Sequence, residues 1–230
     1  MTSAAEIVDL LRSRGTQENL AGMARYGIRT DRSFGVKAAD IKDLARQHKR
    51  NHALALDLWA TGYREARILA AYIADPKAFT PQLMDAWVAD FDSWDICDTT
   101  TNQLFRYHPH AYDKALEWSR SERLFTRRAG FALMAGLALK TSKLEDNAYQ
   151  PFFQRIQTVA TDQRNMVKKA VNWALRQIGK RNKVLNTRAI TVAEEIAALD
   201  NPAARWIASD ALRELRSEAV QKRFRQSAVV

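Results

Sequence analysis

The sequence is poor in the residues that make tight turns. Its 230 positions hold eight glycines and five prolines, about half of average usage for those two types. A sandwich, barrel or propeller needs many such turns. No Asn-Gly or Asp-Gly pair occurs, so an all-β fold is excluded. The single cysteine, Cys97, can form neither an internal disulfide nor a Cys-rich zinc site, and it fits a reducing compartment. Cys97 itself reads as a small buried hydrophobe. No stretch nears the ~18 consecutive apolar residues of a membrane span. Met1 to Leu11 carries Glu6 and Asp9 and lacks the basic start and apolar run of a signal peptide. These absences predict a cytoplasmic protein without membrane contact, expected to be a monomer.

Cofactor chemistry is equally sparse. No Gly-rich phosphate loop is present, so no nucleotide cofactor is expected. His48 and His52 have a spacing that binds zinc on a helix, but Lys49, Arg50 and Asn51 lie between them. Two cations oppose a metal there and no Glu supplies a base, so no metal is expected either. His108 and His110 flank Pro109 and read as loop residues.

What is present is hydrophobic content of 47% with 27% charged residues, which excludes a mostly disordered chain. Thirty-six Lys and Arg stand against 26 Asp and Glu, a formal net charge of +10. Such a balance attracts DNA, RNA or an anionic membrane face; the alternative is a soluble protein that is merely basic. Helix signals recur along the chain. Ser3 and Glu6 form a capping box, Thr80-Pro81 and Asn201-Pro202 read as N-cap and first helical residue, and Pro109 is expected to start another helix. Apolar residues between these points recur at three and four spacings. The least helical stretch runs from Tyr26 to Gly35. No linker is evident, which predicts one domain over residues 1–230 with a frayed basic tail over 222–230.

Four segments resemble one another, each built around a small residue: Ala66, Ala129, Ala170 and Ala204. Their separations are 63, 41 and 34 residues. The first is two periods of about 32 and places a missing anchor near Asp98. Helical repeats of this length predict an all-α, HEAT- or armadillo-like superhelical solenoid of helix pairs, whose second helices line one concave, basic face. A non-repetitive helical bundle is the alternative. Relative to the anchors, Trp94 falls at −4, Asp98 at 0, Arg128 at −1 and Trp173 at +3, offsets on one side of a helix. Stacked in register they would form one patch. Singly, the indoles read as core aromatics, Asp98 as an exposed residue or salt-bridge partner, and Arg128 as part of a solvated face. Together, an Asp at a small-residue anchor beside Trp is costly unless its charge is used or paired.

Three pieces carry a family resemblance: Trp94-Asp95-Ile96-Cys97-Asp98, Phe125-Thr126-Arg127-Arg128-Ala129, and Lys168-Lys169-Ala170-Val171-Asn172-Trp173-Ala174-Leu175-Arg176, with Met23-Ala24-Arg25-Tyr26 as a weaker fourth. In these the chain resembles the AlkD-type DNA alkylation-repair glycosylases, built from HEAT-like repeats. The resemblance implies Asp98 as catalytic carboxylate, Trp94, Trp173 and Arg128 as further active-site residues, and Tyr26 as a DNA-contacting tyrosine. It also implies a monofunctional glycosylase that releases N3- or N7-alkylated purines, such as 3-methyladenine and 7-methylguanine, from duplex DNA without a cofactor. Some relatives keep the fold and lose parts of this constellation; here all of it is kept. Arg64, Arg67, Arg127, Lys168, Lys169, Arg176, Lys180, Arg181 and Arg205 lie on or near the second helices as phosphate contacts, with about half expected to be plain surface charges. A non-catalytic HEAT-like DNA binder and a protein-binding scaffold remain as alternatives. The run Thr99-Thr100-Thr101 has no reading from the family.

Overall fold

The computed structural model describes residues 2–139 and 143–227. Among these are fourteen α-helices and no strand: α1 Ala4–Arg14, α2 Gln17–Arg25, α3 Ala38–Gln47, α4 His52–Ala60, α5 Arg64–Ile73, α6 Pro81–Ala89, α7 Trp94–Gln103, α8 Ala111–Ser119, α9 Leu124–Leu137, α10 Gln150–Val159, α11 Asn165–Gly179, α12 Lys183–Ala197, α13 Pro202–Leu215 and α14 Glu218–Ser227. The start signals act as their chemistry predicts. Ser3 Oγ accepts from the Glu6 amide while the Glu6 carboxylate accepts from the Ser3 amide at 2.7 Å. Thr80 accepts from the Leu83 amide ahead of Pro81, and Asn201 from the Ala203 and Ala204 amides around Pro202.

One local expectation changes. Pro109 does not start a helix. It holds His108 in extended backbone, as a residue before proline must be, and α8 begins at Ala111 with His110 as its N-cap. His48 and His52 do not share a helix: α3 ends at Gln47, α4 starts at His52, and Arg50 between them sits at φ +57°. Of the expected tail, residues 222–227 are helical as part of α14, and 228–230 lie outside the described residues.

The chain divides into two compact units, one up to Pro109 and one from His110 on. In the first unit α4 pairs with α5, and α5 also packs on α3 and α7. Its aromatic core stacks Trp59 of α4 on Trp87 of α6 with ring centroids 3.8 Å apart. Phe79 meets the Trp87 ring edge-on at 4.8 Å. In the second unit α8 pairs with α9 and α12 with α13, while α11 packs along both α9 and α13.

The anchor residues Ala66, Ala129, Ala170 and Ala204 lie near the starts of α5, α9, α11 and α13, and all are fully buried. The repeat register therefore stands, with one correction. Helix α7 buries Ile96, Cys97, Thr100 and Thr101, and α13 buries Ala203, Ala204, Ile207 and Ala208. These patterns superpose when Cys97, not Asp98, takes the anchor position. Cys97 is fully buried and Asp98 only partly. The small residue is thus present in α7 as a cysteine, and Asp98 lies one place on. Polar links also follow the period. Trp59 reaches Asp90 and Arg64 reaches Asp95, both 31 residues on; Arg127 reaches Asp162 across 35, and Arg176 reaches Glu214 across 38.

Close packing in the second unit turns on Gly130. A Cβ there would lie 2.4 Å from the Ser119 nitrogen and 2.9 Å from the Ala115 carbonyl oxygen, so α8 and α9 touch backbone to backbone. Helix propensity alone would make Gly130→Ala stabilising by ~1 kcal/mol. Overpacking against rigid backbone costs ~1–3 kcal/mol and outweighs it. Gly130→Ala is expected to lower the urea midpoint, and a raised midpoint would refute the backbone contact.

Candidate DNA-contacting site

Helix α7 has low intrinsic helix propensity, since it carries three threonines, two aspartates and an asparagine. Its position is set instead by a buried polar network. Asp95 Oδ1 accepts from Ser93 Oγ at 2.6 Å and from the Ile96 amide at 2.9 Å. Its Oδ2 accepts from Arg64 Nε at 2.6 Å and Nη2 at 2.5 Å. Arg64 Nη1 turns the other way, to Glu65 Oε1 at 3.2 Å. Glu65 is 0% exposed and accepts from Ser33 Oγ (2.6 Å) and from the amides of Phe34 (3.1 Å) and Gly35 (3.0 Å). Gly35 is required there: it sits at φ +78°, and a Cβ would lie 2.4 Å from the Thr16 carbonyl oxygen. One guanidinium thus joins the loop before α3 to the start of α7.

Trp94 and Asp98 stand one turn apart on this pinned helix, both half-buried. The Trp94 indole N–H donates to the Tyr26 carbonyl at 3.0 Å. Tyr26 ends α2 and is 74% exposed. Within the first unit the structure therefore brings Tyr26, Trp94 and Asp98 onto adjoining elements. The loop that follows Tyr26 is held a second time where Arg29 faces Asp92 at 3.8 Å.

In the second unit Arg128 is 6% exposed and its Nη1 donates to the Met166 carbonyl at 2.6 Å. Trp173 is half-buried on α11. The Lys168 ammonium lies 4.8 Å from the centre of the Trp206 ring, a cation–π contact. Lys169 is exposed.

Several expected phosphate contacts are engaged inside their own unit. Arg64 is held as above. Arg67 lies over Trp59 and bonds the Asp90 carbonyl at 3.1 Å. Arg127 pairs with Asp162 at 2.9 Å and with Glu122. Arg176 and Lys180 share Glu214 at 2.6 and 2.7 Å. Arg181 donates to the Leu139 carbonyl at 2.8 Å, and Arg205 pairs with Asp200 at 2.9 Å. Sequence reasoning missed the acidic partners Glu65, Asp90, Asp95, Asp162 and Glu214. For most of them the signal was the repeat itself, because the carboxylate lies one period downstream of the cation it holds.

These pairs carry measurable electrostatics. Burial alone would raise the Asp162 carboxyl, but hydrogen bonds from Arg164 and Arg127 outweigh it and bring it down to about 2. An unfolded Asp titrates near ~3.9. The folded value is depressed, so the stabilisation is full above about 4 and is lost as pH falls through about 2. For such a shift it is on the order of 2–3 kcal/mol at neutral pH. Asp162→Asn should be less stable than the parent by that amount at pH 7, with the gap closing towards pH 2 in urea titrations; a gap independent of pH would remove the ion pairs as its cause. Asp95→Asn keeps the shape but strips Arg64 of a buried counter-charge, and breaking such a pair costs ~3–5 kcal/mol. Equal urea stability of Asp95→Asn and parent would show the network to be dispensable.

The comparisons with known proteins bear on the fold and the family. No curated protein matches the chain. Among solved structures, the chain is similar to one described as "a new family of proteins related to the HEAT-like repeat DNA glycosylases with affinity for branched DNA structures". The TM-score is 0.75 at 23% identity, over 92% of this chain and 95% of the other, a likeness of fold. The helix pairs and buried small-residue anchors are thus those of a HEAT-like fold. The family model described as DNA alkylation repair enzyme matches residues 7–222, and the chain belongs to that family.

Proposed function

We propose that the protein is a monofunctional DNA glycosylase releasing N3- or N7-alkylated purines from duplex DNA, with Asp98 as its catalytic carboxylate. The observation that carries the reading is the pairing of Asp98 and Trp94, half-buried and one turn apart, on a helix pinned by Arg64 and Asp95. Membership of a DNA alkylation repair family supports it.

The chemistry asks little of the protein. An N3- or N7-alkylated purine is already cationic and leaves without protonation, so no general acid is needed. As the glycosidic bond stretches, positive charge develops on the deoxyribose. A fixed carboxylate near the anomeric carbon stabilises that charge and orients the attacking water. Asp98 is partly exposed, so it can approach a sugar, while its helix is held rigidly enough to avoid reorganisation. The electron-rich face of Trp94 attracts the cationic nucleotide, worth ~0.5–2 kcal/mol. Arg128 and Trp173 of the second unit are assigned to the same DNA substrate, with Tyr26, Lys168 and Lys169 as backbone contacts. Arg64, Arg67, Arg127, Arg176 and Lys180, held by carboxylates, serve chiefly to position these groups.

A second reading has its own support. The structural neighbour is described by its affinity for branched DNA, so a non-catalytic binder of branched DNA on this fold is the competitor. Single-turnover release of 7-methylguanine at saturating protein separates the two, because it isolates chemistry from affinity. Asp98→Asn is expected to bind DNA as well as the parent and to release base slower by roughly two or more orders of magnitude. An unchanged rate removes Asp98 from the chemistry. A parent that releases nothing above the spontaneous rate, yet prefers a four-way junction to linear duplex, establishes the binder.

A further inference from the structure

The far end of α5 from Arg64 borders a cleft that the proposed function does not use. Eight residues on, about 12 Å along the helix, Tyr72 lines it with Lys49 and Arg50 from the turn between α3 and α4 and with Ala74, Asp75, Pro76 and Lys77 beyond α5. Its volume is about 470 Å³, within the usual span of ligand sites, but its lining is mainly charged. Lys49, Arg50 and Lys77 are exposed, and none forms an ion pair among the described residues. Asp75 is the one acid in the lining, and its Oδ1 is occupied by the Lys77 amide at 3.0 Å. Burial raises the Tyr72 phenol further above its ordinary value, so it stays a hydrogen-bond donor.

The ordinary explanation for cations here is the helix dipole, since α3 and α5 both end at this cleft. Each C-terminus carries about half a negative charge, felt within the last turn. Two such ends and the Asp75 carboxylate offset two of the three cations and leave an excess of about one positive charge. The dipole also gives no reason for Arg50 at φ +57°, a conformation that favours glycine at the end of a helix. An arginine there adds backbone strain and presents a bidentate donor for phosphate.

We propose that this cleft is a phosphate-binding site, occupied by a backbone phosphate of a nucleic-acid strand and held by Arg50, Lys49 and Lys77. The choice of nucleic acid over free phosphate rests on the DNA-binding reading above; the anion chemistry does not.

Arg50→Gly is the discriminating variant, because glycine relieves the positive φ while removing the charge, so the fold survives. Affinity for undamaged duplex is measured against salt concentration for the parent, Arg50→Gly and a Lys49→Ala/Lys77→Ala double variant, with inorganic phosphate titrated separately. The expected result is a several-fold drop in duplex affinity in each variant, with the log–log salt slope shallower by ~0.9 for every phosphate the variant no longer neutralises. Single-turnover base release at saturating protein should stay unchanged, so failure here is distinct from failure of Asp98. Unchanged duplex affinity with phosphate binding that Arg50→Gly abolishes overturns the nucleic-acid assignment and leaves a free-anion site. Unchanged affinity for both ligands overturns the site altogether.

Discussion

The first unit depends on a single buried guanidinium. Arg64 sits between Glu65 and Asp95, two carboxylates that could not both be buried without it. One cation does not neutralise two anions. The remainder is met by backbone amides of the loop before α3, which donate to Glu65, and by Ser93 and the Ile96 amide, which donate to Asp95. Such a network adds little net stability compared with a hydrophobic core of the same volume. What it supplies is geometry: its donors converge on the two carboxylates, so the loop, α5 and α7 fit together in one arrangement. The loop leads back to Tyr26 and the helix leads forward to Asp98. The precision available to the proposed chemistry is therefore set behind the site, by residues that touch no substrate.

This changes how the net charge of +10 bears on DNA. Formal charge treats every arginine as available, whereas Arg64, Arg67 and Arg127 are largely buried beside carboxylates or carbonyl oxygens. A paired, desolvated cation contributes little to the field beyond a Debye length of ~8–10 Å. The attraction to a polyanion falls to fewer groups, among them Lys169 and the cations at the far end of α5. In both units the arginines at the starts of second helices act mainly as struts between successive repeats.

Much of the fold was legible because it rests on local chemistry. Ser3, Thr80 and Asn201 cap helices by bonds to residues two or three positions away, and nothing distant overrides them. The repeat was legible through its small anchors, since only small residues allow second helices to pack closely. The one-place error at Cys97 shows the limit: counting separations locates an anchor to within a residue, while burial decides which residue takes it. Asp98 therefore does not stand in for a buried small residue, and its proposed role rests on its place one turn from Trp94. Pro109 misled for a related reason, since a single proline cannot show where the backbone turns before the next helix. Most acidic partners of the arginines lie a full repeat away, beyond any local motif, so only the period itself pointed to them.

Helix α7 joins these threads through a conflict between local preference and fold. Its sequence, from Trp94 to Gln103, is among the poorest helix formers in the chain, rich in β-branched and short polar residues. Those side chains compete for the backbone. Thr101 Oγ1 donates to the Cys97 carbonyl at 2.9 Å and lies 3.2 Å from the Asp98 carbonyl, which also accepts from Asn102 Nδ2 at 2.9 Å. The last threonine of the run, silent in the sequence, thus reaches the carbonyl of the residue assigned to catalysis. Sequences that fold well usually agree with themselves at every level, and exceptions gather at functional sites. A helix held by Asp95 and buried packing rather than by propensity can carry an Asp, three threonines and an asparagine that a self-sufficient helix would reject. The same dependence ties the placement of Asp98 to Arg64, which lies in another helix.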